Sequence, residues 1–378
     1  MNIAVNCWNL RNKNIDGIGN VIIETISRLI RQHPEIHFQL LCDKNFDGTY
    51  FDFPNARKHY IFPPYRHPLL YMLYLEVQLP AFLKRNNTDL FIGMDGMISL
   101  RANSKQISVI HDLNFEHNPK DLLLRNRLYY RFFFKRFAQK ATRIVAVSEY
   151  TKKDIVTRYH IDPEKIDVMY LGAKNIFHPL TTNEIQVVRD TYSNGFPYFF
   201  FVGSMHPRKN IPRLLAAFEI FKNTTGSRTK LILAGNLQWK TEALQNVLQS
   251  LQHKTDILFT GRVNDAELSQ LLAASQGLVF VPTFEGFGLP IIEGFQAGVP
   301  VICSNTTSMP EVAGEAALLV NPFNVEEIAT AMARIDTDRT YRTAFVEKGY
   351  LRKTAFNWDQ SSLQLYTSIM SILKNKKN

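Results

Sequence analysis

Two patterns of apolar residues alternate along the chain. Short continuous apolar runs, such as Phe199-Phe200-Phe201-Val202, are typical of strands that are buried on both faces of a parallel sheet. Between them, apolar residues recur at helical spacing, as in 21–30 and 214–221. This alternation predicts an α/β fold built from doubly wound sheets. The predicted strands are 2–6, 36–41, 88–93, 106–112, 144–148, 197–203, 230–235, 256–263, 277–282 and 317–322.

The segments between these strands differ in character. Residues 69–83 and 265–274 have helical patterns, whereas 50–68 is aromatic and proline-rich and is predicted to be irregular. The segment 358–374 carries one apolar stripe and is predicted to be a single helix. With 378 residues the chain is long enough for two domains.

The composition is that of an ordinary globular protein, with 45% hydrophobic and 21% charged residues. The three cysteines, Cys7, Cys42 and Cys303, are too far apart in sequence to indicate a zinc site or a disulfide framework. The N-terminus lacks the charged and apolar regions of a signal peptide, and no apolar run approaches the roughly 20 residues that span a bilayer. We therefore expect a cytoplasmic protein.

Positive charge is concentrated in the first half of the chain. Residues 1–180 carry a net charge of +8, against a total of +10. This half could face anionic lipid, nucleic acid or a phosphorylated substrate, or could simply be a basic solvated surface.

Within this half, 125–143 is predicted to be a helix in which basic and aromatic residues are interleaved. Aromatic residues cover too much of its circumference for a clean amphipathic stripe. We expect them to pack on the sheet, which leaves a basic face for lipid or a charged acceptor at the inner face of the membrane. Nucleic acid is the poorer interpretation, because no motif of a nucleic-acid-binding module is present.

The stretch 281–294 predicts a strand, a glycine-rich turn and a helix that begins near Pro290. Glu285 lies in the turn, and Glu293 lies about one turn into the helix. Ligands of open α/β sheets bind at this edge, near helix N-termini. A carboxylate there can accept hydrogen bonds from vicinal hydroxyls of a sugar or a ribose, although each Glu alone could be a solvated or helix-dipole residue.

Two cations stand at another junction between a strand and a helix. Arg208 and Lys209 follow the strand that ends at Gly203 and precede a predicted helix. Because Arg can bind phosphate oxygens with its planar fork and Lys acts as a point charge, this junction predicts a diphosphate site beside helix N–H groups.

Further candidates lie in the first half. His111 and Asp112 end a predicted strand, so both side chains are expected at the carboxyl edge of a sheet. The segment Gly17-Ile18-Gly19 lies in a predicted polar loop and could direct backbone N–H groups at a phosphate or a sugar. Either feature could equally be structural, His111 as a buried histidine and the glycine residues as a tight turn.

These strings together resemble glycosyltransferase family 4, a family of retaining enzymes with the GT-B fold. Glu285 and Glu293 are similar to its E-x7-E motif, and 203–210 to its G-x-x-x-x-R-K-N region. The strings 147–154 and 310–314 are similar to V-S-x-x-T-K-x-D and P-E-V-x-G, and the resemblance extends over nearly the full chain. One departure is Ser204, where some members have an arginine.

The resemblance implies an α/β GT-B architecture, in which two Rossmann-like doubly wound domains face a cleft. The expected domains are an acceptor-side domain over 1–180 and a nucleotide-sugar-binding domain over 181–355. Residues 356–378 would form a C-terminal helix that crosses back to the first domain.

The resemblance also implies roles for single residues. Arg208 and Lys209 would stabilise the leaving diphosphate, Glu285 would hold hydroxyls of the donor sugar, and Glu293 would hold the ribose. His111 would contact the donor sugar, with Asp112 a weaker candidate, and Arg262 would touch base or phosphate. The expected catalytic residues are His111, Arg208, Lys209 and Glu285. The expected donor-binding residues are Gly17, Gly19, Gly203, Arg208, Lys209, Arg262, Glu285, Gly286, Phe287, Gly288, Leu289 and Glu293.

The substrates implied are a nucleotide-sugar donor and a glycan or lipid-linked glycan acceptor. The strings 203–210 and 308–322 look most like bacterial mannosyltransferases of surface-polysaccharide assembly, which favours GDP-mannose and leaves a UDP-hexose open. The expected reaction retains configuration by front-face attack. The alternatives are a nucleotide-sugar epimerase, a phosphorylase or a membrane-associated module that only binds sugar nucleotides.

No cofactor or metal is expected. The only D-x-D string in the sequence, Asp336-Thr337-Asp338, lies far along the chain from the candidate residues and is predicted to be a helix end or a turn.

Overall fold

The computed structural model describes residues 1–10, 15, 17–43, 46, 49–61, 68–236 and 242–373. The chain divides into two compact units. The first comprises Met1–Leu171 together with Trp358–Asn378, and the second comprises Gly172–Asn357. The two units are therefore joined close to, but somewhat before, the boundary at residue 180 that the resemblance implied.

The first unit contains a sheet of seven parallel strands, in the order β3-β2-β1-β4-β5-β6-β7. The middle of β1 and all of β4 are apolar and buried, which is why they form continuous apolar runs in the sequence. The strands are β1 Asn2–Asn6, β2 His37–Asp43, β3 Ala56–Ile61, β4 Leu90–Gly93, β5 Lys105–Ile110, β6 Arg143–Ala146 and β7 Ile166–Val168.

The helices of the first unit connect these strands. Between Pro68 and Arg85 the helix passes through a π-helical segment, Tyr74–Gln78. Ser148 accepts a hydrogen bond from the amide of Thr151 and caps the helix that follows it. The α-helices are α1 Gly17–Gln32, α2 Pro68–Leu73, α3 Leu79–Arg85, α4 Asn114–His117, α5 Leu124–Lys140 and α6 Glu149–Tyr159.

Three sequence predictions for this unit need correction. The segment 50–68 contains β3, which is an edge strand. Its charged and polar residues interrupt any apolar run, so the sequence does not predict it as a strand. The predicted loop at Gly17 and Gly19 is wrong, since both lie in the first turn of α1. Ile18 stands four residues before Ile22, so the helical period already includes it. The basic-aromatic helix ends at Lys140, and Arg143 begins β6.

The second unit contains a sheet of six parallel strands, in the order β10-β9-β8-β11-β12-β13. Four phenylalanine and tyrosine residues fill β8 and are completely buried. The strands are β8 Tyr198–Val202, β9 Lys230–Ala234, β10 Ile257–Gly261, β11 Gly277–Phe280, β12 Val301–Ser304 and β13 Leu318–Val320. The α-helices are α7 Thr182–Ser193, α8 Ile211–Thr225, α9 Glu242–Ser250, α10 Asp265–Ala273, α11 Leu289–Ala297, α12 Met309–Ala313, α13 Val325–Thr337 and α14 Arg339–Arg352.

The last helix, α15 Trp358–Leu373, belongs to the first unit and packs against α1. The rings of His33 and Tyr366 stack with centroids 3.7 Å apart, and Arg28 Nε lies 3.0 Å from Asp359 Oδ1. The chain thus returns to its first unit, as the resemblance implied.

Each sheet has one point at which the strand order reverses. In the first unit it lies between β1 and β4, and in the second between β8 and β11. Neighbouring connections leave the sheet on opposite sides there, which opens a crevice at the carboxyl ends of the two strands. The two crevices are therefore the places in each unit where the fold itself favours a ligand.

No helix among the described residues is both long enough and apolar enough to cross a membrane.

Candidate active site

At the carboxyl edge of the second unit's sheet, glycine residues allow the backbone segments to approach closely. Gly203 follows β8 with φ +153°, and Gly235 follows β9 with φ +149°. A Cβ built on Gly235 would lie 1.7 Å from the carbonyl oxygen of Gly203, so no larger residue fits there. This close approach brings the loop after β8 over the end of its neighbouring strand.

The loop after β8 ends in a short 3-10 turn, Pro207–Lys209, that leads into α8. Asn210 holds the junction in a left-handed conformation, with φ 64°. Its side-chain amide donates to the carbonyl oxygens of Val281 and Pro322, at 3.0 and 2.7 Å. The last residue of the predicted R-K-N string thus anchors the turn to the loops after β11 and β13, while the two cations before it are left to face the sheet edge.

The loop after β11 carries Glu285 and is fixed by hydroxyl groups. Ser308 donates to the carbonyl oxygens of both Glu285 and Phe287, at 3.0 and 3.1 Å. Gly288 precedes α11 with φ +99°, and a Cβ there would lie 2.7 Å from Met309 Cε. The glycine turn between the two glutamates is therefore required by geometry.

Glu285 forms an ion-pair cluster with both cations of the neighbouring turn. Its Oε1 lies 2.5 Å from Lys209 Nζ and 2.7 Å from Arg208 Nη1. Arg208 also donates to the carbonyl oxygen of Phe284, at 3.1 Å, and its own carbonyl accepts from the amide of Thr283, at 2.8 Å. The two loops at the β8/β11 reversal point are thus tied together by main-chain and side-chain bonds.

The cluster combines two cations with one carboxylate and is largely buried, with Arg208 partly exposed. Lys209 is 9% exposed and Glu285 is 8% exposed. Burial by itself raises the pKa of Glu285, but the charges of Arg208 and Lys209 outweigh it and lower the pKa below its ordinary value. Glu285 is therefore an ionised acceptor at neutral pH, and it lies beside two cationic side chains. Such a centre suits an anion that also carries hydroxyl groups.

Glu293 occupies a different environment, on α11. The side chain is partly buried, and burial raises its pKa to about 7. The positive charges of Lys174 and Lys209 lower this pKa, and the negative charge of Asp265 raises it. Lys174 and Asp265 form their own pair, with Nζ and Oδ2 2.8 Å apart. The two glutamates of one motif thus titrate in different pH ranges.

The other candidate residues of this unit also lie at the carboxyl edge of the sheet, but not all of them lie beside Glu285. Phe287 is buried, and its ring packs edge-on against Phe356 with centroids 5.8 Å apart. Leu289 is the first residue of α11. Arg262 is exposed and directly follows β10, which is the outermost strand and is separated from β8 by β9. Gly286, Gly288 and Leu289 therefore belong to the loop of Glu285, whereas Arg262 lies at the periphery.

His111 lies at the carboxyl edge of the first unit's sheet, immediately after β5, as predicted. Its Nε2 lies 2.8 Å from the carbonyl oxygen of Met94, which fixes the ring. Asp112 accepts from the amide of Asn114, at 2.9 Å, which stabilises the turn that leads into the short helix α4. The structure thus gives Asp112 a local structural role and presents His111 in a fixed orientation.

Sequence reasoning missed the direct pairing of Glu285 with Arg208 and Lys209. The residues lie more than 70 positions apart, and only the adjacency of β8 and β11 brings them together. No local pattern in the sequence relates the two strings, because the order of the strands is defined only in the folded sheet.

The D-x-D string lies at a helix end, as the sequence predicted. Asp336 accepts from the hydroxyl of Thr229, at 2.7 Å, Thr337 ends α13, and Asp338 caps α14. In the part of the chain that the structure describes, no group of three or more His, Cys, Asp or Glu side chains could hold a metal ion.

Two sequence models of glycosyltransferases match the chain. Residues 15–174 match the sequence model described as Glycosyltransferase Family 4, and 188–352 match that of Glycosyl transferases group 1. The chain is 29% identical over 307 residues to O-antigen chain mannosyltransferase B of Escherichia coli, with 79% of each chain covered.

Solved structures share the whole fold. Sucrose-phosphate synthase from Thermosynechococcus elongatus superposes with a TM-score of 0.81 at 17% identity, over 100% of both chains. HepE of Anabaena, solved in complex with UDP-glucose, superposes with a TM-score of 0.77 at 16% identity, over 98% of this chain and 100% of that one. The GT-B fold class predicted from the sequence is confirmed.

Proposed function

Because the chain belongs to the glycosyltransferases of family 4, we propose that it moves a hexosyl group from a nucleotide sugar to a glycan or lipid-linked glycan in polysaccharide biosynthesis. The observation that carries this proposal is the buried cluster of Arg208, Lys209 and Glu285. It combines two cations for a diphosphate with one ionised acceptor for hydroxyl groups. These are the two halves of a nucleotide sugar.

Each residue of the site then has a role in the transfer. Arg208 and Lys209 stabilise the charge that grows on the leaving diphosphate, an effect worth about 3–4 kcal/mol per well-placed group. Glu285 holds hydroxyl groups of the donor sugar, and Glu293 holds the ribose hydroxyls. His111 contributes a further contact to the donor sugar, a role that rests on the resemblance of its position to the family's. Gly17 and Gly19, in the first turn of α1, offer backbone N–H groups to a phosphate or sugar.

We propose GDP-mannose as the donor, with a UDP-hexose as the alternative. The sequence relative with 29% identity is named a mannosyltransferase, which favours mannose. The structural relative HepE was solved with UDP-glucose, which keeps a uridine donor open.

The transfer is proposed to retain configuration by front-face attack. The bond between the anomeric carbon and the diphosphate oxygen breaks, and the acceptor oxygen bonds to the same face of that carbon. The acceptor proton passes to the leaving phosphate oxygen, so no protein base is needed. Because Glu285 and Glu293 come from one loop and its helix, we assign them to hydroxyl groups of the donor and not to the two sides of the scissile bond, where glycosidase carboxylates act.

The experiment that tests the proposal is a donor panel. GDP-mannose, UDP-glucose, UDP-galactose and UDP-N-acetylglucosamine are compared by thermal shift, because a ligand that binds the folded state raises the melting temperature. Release of nucleoside diphosphate is then measured with and without short mannose oligosaccharides. We expect a shift with GDP-mannose and release that depends on the acceptor.

Other outcomes of the same panel favour the rival functions. Conversion of the donor sugar without release of diphosphate would indicate an epimerase. Binding of a donor without any turnover would indicate a module that only binds sugar nucleotides. Release that requires inorganic phosphate in place of an acceptor would indicate a phosphorylase.

A peripheral contact with anionic membrane is also proposed, through α5. Leu124, Leu128 and Phe132 are spaced four residues apart, and their side chains are 68%, 61% and 54% exposed. The exposed Arg125 and Arg131 adjoin this stripe. Apolar side chains that insert between lipids, next to cations that meet anionic headgroups, form the surface expected of an interfacial helix.

A cytoplasmic location completes the proposal. All three cysteines are free thiols, which suits a reducing compartment.

A further inference from the structure

The first unit has its own reversal of strand order, and two polar residues occupy it. Asn6 is the last residue of β1, and Asp95 follows β4 by two residues. These two strands are hydrogen-bonded neighbours, although the residues lie 89 positions apart in sequence. Asn6 and Asp95 thus lie at the strand-order reversal of the first sheet, as Lys209 and Glu285 lie at that of the second.

A hydrogen-bond network joins the two residues to a tyrosine. The side-chain amide of Asn6 donates to Asp95 Oδ1 at 3.3 Å, and the hydroxyl of Tyr71 donates to Asp95 Oδ2 at 2.9 Å. The amide of Met97 donates to Oδ1 at 3.3 Å. Burial raises the pKa of Asp95, and the hydrogen bonds from Tyr71 and Met97 oppose that rise. Asp95 is therefore a largely desolvated carboxyl whose desolvation its hydrogen-bond partners only partly compensate.

The turn that carries Asp95 is held rigidly. A Cβ on Gly93 would lie 2.1 Å from the carbonyl oxygen of Met97. Gly96 has φ +84°, and a Cβ there would lie 2.4 Å from Phe134. The hydroxyl of Ser108 donates to the carbonyl oxygen of Gly96 at 2.7 Å. The position of the Asp95 carboxyl is thus set in advance, as a binding group requires.

We infer that Asp95, Asn6 and Tyr71 form a polyol-binding subsite for a sugar unit of the acceptor glycan. This inference rests on the proposed function, because it assumes that a glycan is the acceptor. Asn6 is 2% exposed, and its Oδ1 has no hydrogen-bond partner among the described residues, whereas Asp95 is partly exposed. The network therefore combines the partly exposed carboxyl of Asp95 with the buried side-chain amide of Asn6.

Aromatic side chains around the network fit the same chemistry. The ring of Trp8 lies 5.0 Å from that of Tyr71, and the hydroxyl of Tyr129 lies 3.8 Å from the sulfur of Met97. Trp8 and Tyr129 are only partly buried. A sugar presents hydroxyl groups at its edge and C–H groups on its faces, so a carboxyl beside aromatic rings recognises both.

Asp95→Asn tests this subsite, with Asp89→Asn as the matched control. Asp89 precedes β4 at the opposite edge of the same sheet and accepts from the amide of Asn2 at 3.0 Å. Two readouts are used: binding of mannose di- to tetrasaccharides by saturation-transfer NMR, and the KM values for acceptor and donor. We expect Asp95→Asn to weaken oligosaccharide binding and raise the acceptor KM by about tenfold to a hundredfold, as for loss of a hydrogen bond to a charged group. The donor KM of Asp95→Asn should stay within about twofold of the wild type. Oligosaccharide binding and both KM values of Asp89→Asn should stay within the same range, because a substitution away from the site changes free energies by only about 0.5 kcal/mol.

Three results would overturn the inference. In the first, Asp95→Asn has a lower melting temperature but binds oligosaccharides as the wild type does. In the second, Asp95→Asn raises the donor KM as much as the acceptor KM. In the third, the wild type binds no oligosaccharide. Tyr71→Phe removes one hydroxyl from the network and repeats the test if Asp95→Asn does not fold. Failure of the proposed function is distinct, since the wild type would then bind oligosaccharide without releasing diphosphate from any donor.

Discussion

Lys209 Nζ lies 2.5 Å from Glu285 Oε1, so the ammonium group expected to meet a diphosphate is already paired with the carboxylate expected to meet the sugar. Arg208 shares the same oxygen, at 2.7 Å. The pairing orients both cations, but it also offsets part of the charge that would attract an anion. A donor that enters this site must therefore share the two cations with Glu285.

Glu285→Gln should separate these two effects. The variant keeps the shape and one acceptor oxygen but removes the negative charge that Glu285 places beside the two cations. We expect the affinity for free nucleoside diphosphate to rise by about threefold to tenfold, the result of a change near 1 kcal/mol. Transfer should fall by about a hundredfold, because an ionised acceptor for the donor sugar is lost. Calorimetry with GDP and UDP and initial rates of transfer measure the two quantities.

Glu293→Gln is the control for this variant, because it makes the same substitution in the same motif at a residue that does not pair with the two cations. It should weaken nucleotide binding, since Glu293 is proposed to hold the ribose. If Glu285→Gln also binds diphosphate more weakly than the wild type, Glu285 organises the cations instead of competing with the ligand for them.

Lys209→Ala should lower turnover by about a hundredfold or more, because it removes a cation that stabilises the leaving diphosphate. Initial rates at saturating donor measure the effect. Lys222→Ala is the control, since Lys222 is also buried and paired, with Asp256 Oδ2 at 2.8 Å, but lies in the last turn of α8, away from the candidate residues. A Lys209→Ala enzyme with turnover close to that of the wild type would refute the diphosphate assignment.

The sequence predicted the parts of this site but not their connections. The strand, glycine turn and helix around Glu285 were predictable because each has a local signature of apolar run, glycine and N-terminal proline. The cluster of Glu285 with Lys209 was not, because it depends on which strands become neighbours. The same holds for Asn6 and Asp95, which no local pattern relates.

Two errors in the secondary structure also have a physical basis. β3 lies at the sheet edge and contains charged residues such as Arg57 and Lys58, so it lacks the apolar run of a central strand. Gly17 and Gly19 suggested a loop because glycine is a poor helix former, but Gly19 is buried in α1, where no side chain is needed.

Glu293 should make stability and nucleotide binding depend on pH. Its pKa in the folded protein is about 7, above the ordinary value of 4.5, so the folded state keeps a proton that the unfolded chain has lost. The stabilisation from this group is complete below pH 4.5 and is lost as the pH rises to about 7. Melting temperatures between pH 5 and 8 should therefore fall more in the wild type than in Glu293→Gln.

Nucleotide affinity should change in the opposite direction. The ionised carboxylate accepts ribose hydroxyl groups better than the protonated form does, so GDP or UDP should bind more tightly at pH 8 than at pH 6. This difference should be small in Glu293→Gln. The same pH dependence of melting and of binding in both proteins would rule out Glu293 as its source.

Transfer should not depend on a divalent ion, because Arg208 and Lys209 supply the positive charge that such an ion would bring to the diphosphate. After dialysis against a chelator, turnover should stay within about twofold of its starting value, a change below 0.5 kcal/mol in the barrier. Adding magnesium or manganese back to the dialysed enzyme completes the measurement. A loss of activity that either ion restores would mean that the two cations are insufficient.

Membrane contact through α5 should require both its apolar stripe and its charge. Replacing Leu124, Leu128 and Phe132 with Gln should reduce co-sedimentation with phosphatidylglycerol vesicles at least about tenfold, since each buried apolar side chain contributes on the order of 1.5–3 kcal/mol. Phosphatidylcholine vesicles should bind the wild type weakly, because each Arg near an anionic surface adds about 1 kcal/mol. Leu351→Gln is the control, as Leu351 is 76% exposed but lies on α14 of the second unit. Equal sedimentation of the triple variant and the wild type would show that the stripe does not insert into lipid.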